Sequence, residues 1–321
     1  MRRPVRKLGR ALLVAVVALA GAAGSPMSVH AAVSVVDDAG RTVTLARPAE
    51  RVISLAPHAT ELVYAAGGGA RLVGAVSYSD YPPQANALPR VGSNSALDLE
   101  RIVALRPDLI VVWRHGNDTR QIDKLRALGI ALFVSEPHKV DDVATNLERL
   151  GILLGSERTA DAAAQRYRGE IARLRGRYAA RPVVSVFYQV WDRPLLTLNG
   201  AHIVSDAIAL CGGRNVFGEL AARVPTVSVE AVVAANPEAI VTSAKGATAP
   251  SADAPLPDLA RWRAWPGMTA VTRGNLFAID GDLINRPGPR LAQGIEALCQ
   301  DLDTARARRP AAGAGGASGM H

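Results

Sequence analysis

One sixteen-residue pattern occurs twice in this chain. "LDLERIVALRPDLIVV" (97–112) and "VSVEAVVAANPEAIVT" (227–242) align without a gap, 130 residues apart, and agree in Glu, Val, Ala, Pro, Ile and Val at 6 of 16 positions. Each reads as a capping residue, a short helix, a proline that stops it and a buried apolar strand. Any α/β protein contains helix–proline–strand units, but a glutamate and a proline held at one fixed spacing point to duplication. A duplicated unit calls for two similar lobes.

The segments around the repeat fit that demand. Short apolar runs ("RVISL", "LVGAV", "LIVVW", "ALFVS") alternate with helical stretches, the pattern of a parallel sheet with crossover helices. "SERTADAAAQRYRGEIARLRGRYAA" has apolar positions at helical spacing and no proline, and reads as one long helix. Beyond it the alternation resumes with "PVVSVFYQV", "EAIVTS" and "NLFAID" as strands and "PRLAQGIEALCQDL" as a last helix. The expected fold is α/β: two similar parallel-sheet lobes, 32–154 and 181–305, joined by a bridging helix over 155–180, with the ligand cleft between them. "VSVVDDAGRTVTL" adds a hairpin at the front, and the low-complexity end, 306–321, reads as a disordered tail.

The first 31 residues read as a cleaved secretory signal: a basic start, the apolar core "ALLVAVVALAGAAG" and "VHA" before Ala32. The apolar run falls short of the ~20 residues a bilayer span needs. Five of the chain's basic residues lie in this segment, and without them the formal charge falls from +8 to +3, so no nucleic-acid footprint is indicated. The expected location is the periplasm. Two cysteines remain in the exported part, Cys211 and Cys299; an oxidising compartment favours one disulfide, the alternative being two buried thiols.

Ligands of open α/β sheets sit at the carboxyl ends of strands. "SYSDYPPQA" directly follows one expected strand and "WRHGN" another, which puts Tyr78, Tyr81 and Trp113 on one rim, where aromatic faces give a large apolar contact. The chain lacks a G-x-S-x-G elbow, a P-loop, an H-E-x-x-H and a G-x-G-x-x-G after a strand, so it is not read as an enzyme. A metallocofactor-handling enzyme would need more cysteine or histidine ligands at the lobe edges. His58 and Glu61, in "HATE", form an i, i+3 His–carboxylate pair near a helix start and read as a cap with solvent contact.

In "SYSDYPPQA", "LERIVALRPDL", "WRHGN", "CGGRNVF", "SVE" and the D-x-x-x-R within "GDLINRPGPR", the chain resembles the periplasmic cobalamin-binding proteins of ABC importers, within the wider group of ferric-siderophore, haem and cobalamin receptors. The resemblance runs from about Arg51 to Leu302. It implies two α/β lobes on one rigid helix, a monomer that captures a corrinoid as cargo, with no cofactor of its own, and delivers it to a permease dimer in the inner membrane. It implies ring stacking by Tyr78 and Trp113, polar contacts from Asp282 and Arg286, a Cys211–Cys299 disulfide, and docking onto permease arginines by Glu100 and Glu230, the glutamate shared by the repeat. The chain departs from the family's further cleft aromatics at Asn94, Val190 and Leu196 and near Val224; Trp191, beside Val190, is the expected substitute. These departures leave haem or a ferric siderophore as the alternative cargo, with His115 placed beside Trp113 to approach a bound metal.

Overall fold

The computed structural model describes residues 32–244 and 257–310; the expected signal and the end of the expected tail lie outside them. The chain opens with an antiparallel hairpin of β1 (Val33–Val36) and β2 (Thr42–Leu45). Its turn is closed by Asp37, whose carboxylate accepts from the backbone N–H groups of Ala39 and Arg41. The first lobe follows as β3 (Val52–Ser54), α1 (Pro57–Ala65), β4 (Leu72–Ala75), α2 (Leu99–Ala104), β5 (Leu109–Val112), α3 (Thr119–Ala127) and β6 (Ala131–Val134). Its strands pair in parallel in the order β4-β3-β5-β6.

Two helices, α4 (Asp142–Leu154) and α5 (Glu157–Tyr178), lead to the second lobe. This lobe contains β7 (Val184–Gln189), α6 (Ile203–Leu210), β8 (Gly213–Asn215), α7 (Val229–Ala235), β9 (Ala239–Ala244), α8 (Pro257–Ala260), α9 (Thr269–Thr272), β10 (Leu276–Asp280), α10 (Gly281–Ile284) and α11 (Leu291–Ala307). Its parallel order, β8-β7-β9-β10, repeats that of the first lobe strand for strand.

The sequence repeat is therefore a structural one. Asp98 caps α2 by accepting from the Arg101 N–H, and Ser228 caps α7 by accepting from the Ala231 N–H. At the tenth position of each copy the backbone turns left-handed, at Arg106 with φ 46° and at Asn236 with φ 39°, immediately before the shared proline. That turn ends each helix and aims the chain into the central strand of its sheet.

α5 buries Ala160, Ala163, Ala164, Tyr167, Ile171, Leu174 and Tyr178, spaced three and four apart along one stripe. One apolar core runs through this stripe from Val52, Leu62 and Leu109 in the first lobe to Val184, Val241 and Leu298 in the second. The outer face of each sheet has its own smaller core, around Ile53 and Ile110 in one lobe and Phe187, Ile240 and Trp262 in the other. Cys211 and Cys299 are joined in a disulfide that ties the end of α6 to α11.

The tail expectation needs correction over 306–310. α11 continues to Ala307, and the three arginines at its end are bound to the second lobe. Arg306 donates to the carbonyls of Pro182, Cys211 and Gly212, Arg308 to Gly274, and Arg309 to the Glu238 carboxylate. Guanidinium groups satisfying exposed carbonyls at strand and helix ends hold a stretch that composition alone reads as loose.

Gly169 and Gly176 lie on the outer face of α5 in helical backbone, and an added Cβ would meet nothing within 4 Å. Because glycine in a helix interior costs up to ~1 kcal/mol relative to alanine, Gly169→Ala and Gly176→Ala are each expected to stabilise the protein by roughly 0.5–1 kcal/mol in urea unfolding. Destabilisation by either would mean that the outer face of α5 is packed rather than free.

Candidate functional site

Side chains that follow the strands' carboxyl ends meet across the boundary between the lobes. Arg286, just past α10, reaches Asp80 beyond β4 at 2.6 Å and Glu61 in α1 at 3.4 Å. Arg290 holds Glu61 with its Nε at 2.9 Å and an Nη at 2.6 Å, and its guanidinium lies 3.9 Å from the Tyr81 ring centre. On another edge Arg223 comes within 3.5 Å of Glu136 beyond β6, and Lys139 pairs with Asp206 of α6 at 3.1 Å. The carboxyl edges of the two sheets thus face one another, the arrangement that creates a cleft.

The loop after β4 presents Tyr78 and Tyr81. Tyr78 is 71% exposed and has φ 64°, a left-handed conformation that costs a side-chain-bearing residue roughly 1–2 kcal/mol. Ser79 beside it is buried and accepts from the Thr60 hydroxyl at 2.9 Å, which in turn shares a 2.6 Å bond with Ser54. The backbone turns so that one ring faces out while its neighbour is held inside.

Trp113 is half-buried. A Cβ on Gly116 would lie 1.8 Å from its ring, so glycine is required there for the indole to pack. His58 meets the same ring edge-on at 5.6 Å. Asn117 fixes the turn: its side-chain oxygen accepts from the Trp113 N–H at 2.7 Å, and its amide donates to the carbonyls of Leu55 and Asn94. Asn94 donates to Gly116 O at 3.2 Å, so this position, one of the departures from the aromatic pattern, supports the tryptophan turn.

Across the cleft Trp191 is 62% exposed, with its indole N–H donated to Arg193 O at 3.0 Å. Val224 and Leu220 are the other exposed apolar side chains of this rim, whereas Val190 is half-buried against the core. Asp282, in α10, pairs with Arg286 at 2.8 Å. Burial alone would raise the Asp80 carboxyl, but its bond to Arg286 holds it below the usual carboxylate range.

Arg286 brings Asp282 together with Asp80, two residues past Tyr78 in the loop after β4; Trp113 lies at the end of β5, two strands along the same sheet, and Trp191 on the opposite lobe. Glu100 and Glu230 stand apart from this group, exposed in the first turns of α2 and α7. A helix leading into a parallel strand begins at the sheet's carboxyl edge, so each acid lies on the cleft side of its own lobe. The Glu230 carboxyl is held low by hydrogen bonds from its own N–H and the Ser228 hydroxyl.

Three groups went unread in the sequence or were misread. Glu61 is not in solvent contact: its side chain is 2% exposed and carries Arg286 and Arg290 from the second lobe. Arg290, four residues past Arg286, repeats its helical spacing, which was the one local signal available. Glu136 receives both His115, whose Nδ1 is 2.9 Å away, and Arg223. Among the described residues no group of three or more His, Cys, Asp and Glu is placed to hold a metal ion, and no helix is long and apolar enough to cross a membrane.

Residues 52–283 match the periplasmic binding protein family. The chain belongs to that family. It is 38% identical over 260 residues to the vitamin B12-binding protein of Vibrio cholerae, covering 81% of this chain and 91% of the relative. The crystal structure of the periplasmic vitamin B12-binding protein of Vibrio cholerae superposes with a TM-score of 0.73 at 38% identity, over 81% of this chain and 98% of that one. A periplasmic haem-binding protein from a Roseiflexus species gives a TM-score of 0.68 at 25% identity, over 80% and 99%. Solved structures similar to this chain thus include one named for vitamin B12 and one named for haem.

Burial lowers the His58 imidazole to about 4, against the pull of the Glu136 carboxylate. In the unfolded chain a histidine titrates near 6.5, so between these values the unfolded state binds the extra proton and stability falls as pH falls. The expected loss between pH 7.5 and pH 5 is about 2 kcal/mol from this residue, read by urea unfolding at both pH values. His58→Gln should remove that part of the slope; an unchanged slope would assign the loss to other groups.

Proposed function

We propose that this protein captures a corrinoid, cobalamin or a close relative, in the cleft between its lobes and delivers it to the permease of an ABC importer. The observation that carries this reading is the 38% identity with the Vibrio cholerae vitamin B12-binding protein, maintained over 81% of the chain. The cleft supports it. Tyr78 and Trp113 from one lobe and Trp191 from the other offer aromatic faces to a flat macrocycle, with Asp282 and Arg286 as polar groups at the edge. The corrinoid is cargo, and the role is capture and release without catalysis.

On the same reading the working form is a periplasmic monomer from which residues 1–31 have been removed. Glu100 and Glu230, exposed at matching positions of the structural repeat, dock onto arginines of a two-fold permease, where charge-assisted pairs gain strength from partial desolvation. Haem is the second reading, favoured by the likeness to the Roseiflexus haem binder.

Isothermal titration with cobalamin, cobinamide and haem tests the proposal. Sub-micromolar corrinoid binding is expected, on the order of −8 kcal/mol or better, with haem much weaker. Tyr78→Ala should weaken it by roughly 1–3 kcal/mol without lowering thermal stability, since the ring makes little internal contact. Glu100→Arg/Glu230→Arg should bind as before but fail to support uptake in a receptor-deficient strain. Tight haem binding with no corrinoid retention would overturn the corrinoid reading; normal uptake by the double variant would remove docking from these acids.

A further inference from the structure

In the loop that carries Tyr78, the flanking residues are tied down, and two of the ties come from the opposite lobe. Ser77 donates its hydroxyl to Gly92 O at 3.1 Å, and the buried Ser79 is bonded to Thr60 at 2.9 Å. Both partners belong to the first lobe. Asp80 and Tyr81 are anchored differently: the carboxylate takes Arg286 at 2.6 Å, and the ring lies under the Arg290 guanidinium at 3.9 Å. Tyr81 is still 43% exposed, so this stack rather than core packing fixes its ring.

Arg290 is itself immobilised. The 2% exposed Glu61 grips it through two separate N–H donors, a planar fork that an ammonium group cannot reproduce. The order of dependence is therefore Glu61, then Arg290, then Tyr81, then the loop. Tyr78, at φ 64°, stands between Ser77 and the buried Ser79, with the anchored pair directly after them. A left-handed tyrosine persists only where its neighbours over-determine the backbone, and half of that restraint is supplied by residues of the other lobe.

We infer that Arg290, gripped by Glu61 and stacked on Tyr81, is a positioning residue for the ligand, holding the Tyr78 loop in the conformation that presents its ring to the cleft. It acts through Tyr81. The second lobe thereby shapes the first lobe's half of the site, and a separation of the lobes would loosen the loop as well as widen the cleft. This deepens the corrinoid reading by assigning residues that support its contact ring, and it rests on that reading for the role of Tyr78.

Arg290→Gln and Tyr81→Leu cut the same stack from its two sides; the second leaves the Glu61–Arg290 pair in place and guards against loss of folding in the first. Hydrogen exchange, which needs no ligand, is measured by mass spectrometry on peptides covering 76–82 and α5. Both variants are expected to exchange at least about ten-fold faster in the loop, with α5 unchanged. In cobalamin titrations each should weaken binding by roughly five- to thirty-fold, but by less than about two-fold when Tyr78→Ala is already present, because residues acting through one another are not additive. Wild-type loop exchange in both variants overturns the inference, as do losses that add to that of Tyr78→Ala. Faster loop exchange in a protein that binds no cobalamin upholds the positioning role and overturns the corrinoid reading instead.

Discussion

The structure depends on one constraint: a single helix contributes its buried stripe to the cores of both lobes. Ala160, Ala163 and Ala164 let α4 approach closely, and Tyr167, Ile171, Leu174 and Tyr178 carry the apolar contact on into the second lobe. A hinge between the lobes would have to bend this helix or shear it from α4 and α11, and it contains no proline to ease a bend. With one side of the molecule fixed in this way, the opposite side can be set by a few polar contacts. Glu61, Asp80 and Glu136 in the first lobe meet Arg286, Arg290 and Arg223 in the second.

Those contacts are better understood as fixing geometry than as adding stability. Burying the Glu61 carboxylate with two guanidinium groups costs desolvation on both sides, and such pairs often do no better than well-packed apolar residues. Removing one partner is another matter, since it leaves an uncompensated buried charge. Trp113 is fixed in a similar way, its ring packed against the edge of the main core and held in orientation by Gly116, His58 and the Asn117 turn. Rigid aromatic faces on a fixed frame suit a bulky, flat ligand, because little side-chain freedom remains to be lost on binding.

Much of the fold was legible because it rests on local chemistry. Asp98 and Ser228 as caps, the shared proline and the apolar runs after it are read directly, and the common strand order of the lobes follows from them. The left-handed Arg106 and Asn236 were not legible, since arginine gives no hint of positive φ and only the matching asparagine does. Tyr78 and Trp113 could be placed at strand ends from the sequence alone, whereas Trp191 was reached only through the family resemblance. Glu61 could not: its partners are 225 and 229 residues away, and a glutamate three residues after a histidine near a helix start looks like a solvated residue until the second lobe is in place. The end of α11 failed for the opposite reason, as Arg306 and Arg309 look like a loose basic tail but bind carbonyls and Glu238.

The central claim is that the cleft is already set at its working width before the ligand arrives. Small-angle X-ray scattering of the free and cobalamin-saturated protein tests this most directly. For a compact chain of this size the radius of gyration is about 19 Å. The account predicts free and loaded curves that superpose, with radii agreeing to within roughly 0.5 Å. A contraction on loading of about 1 Å or more, as hinge closure of two lobes produces, would contradict it.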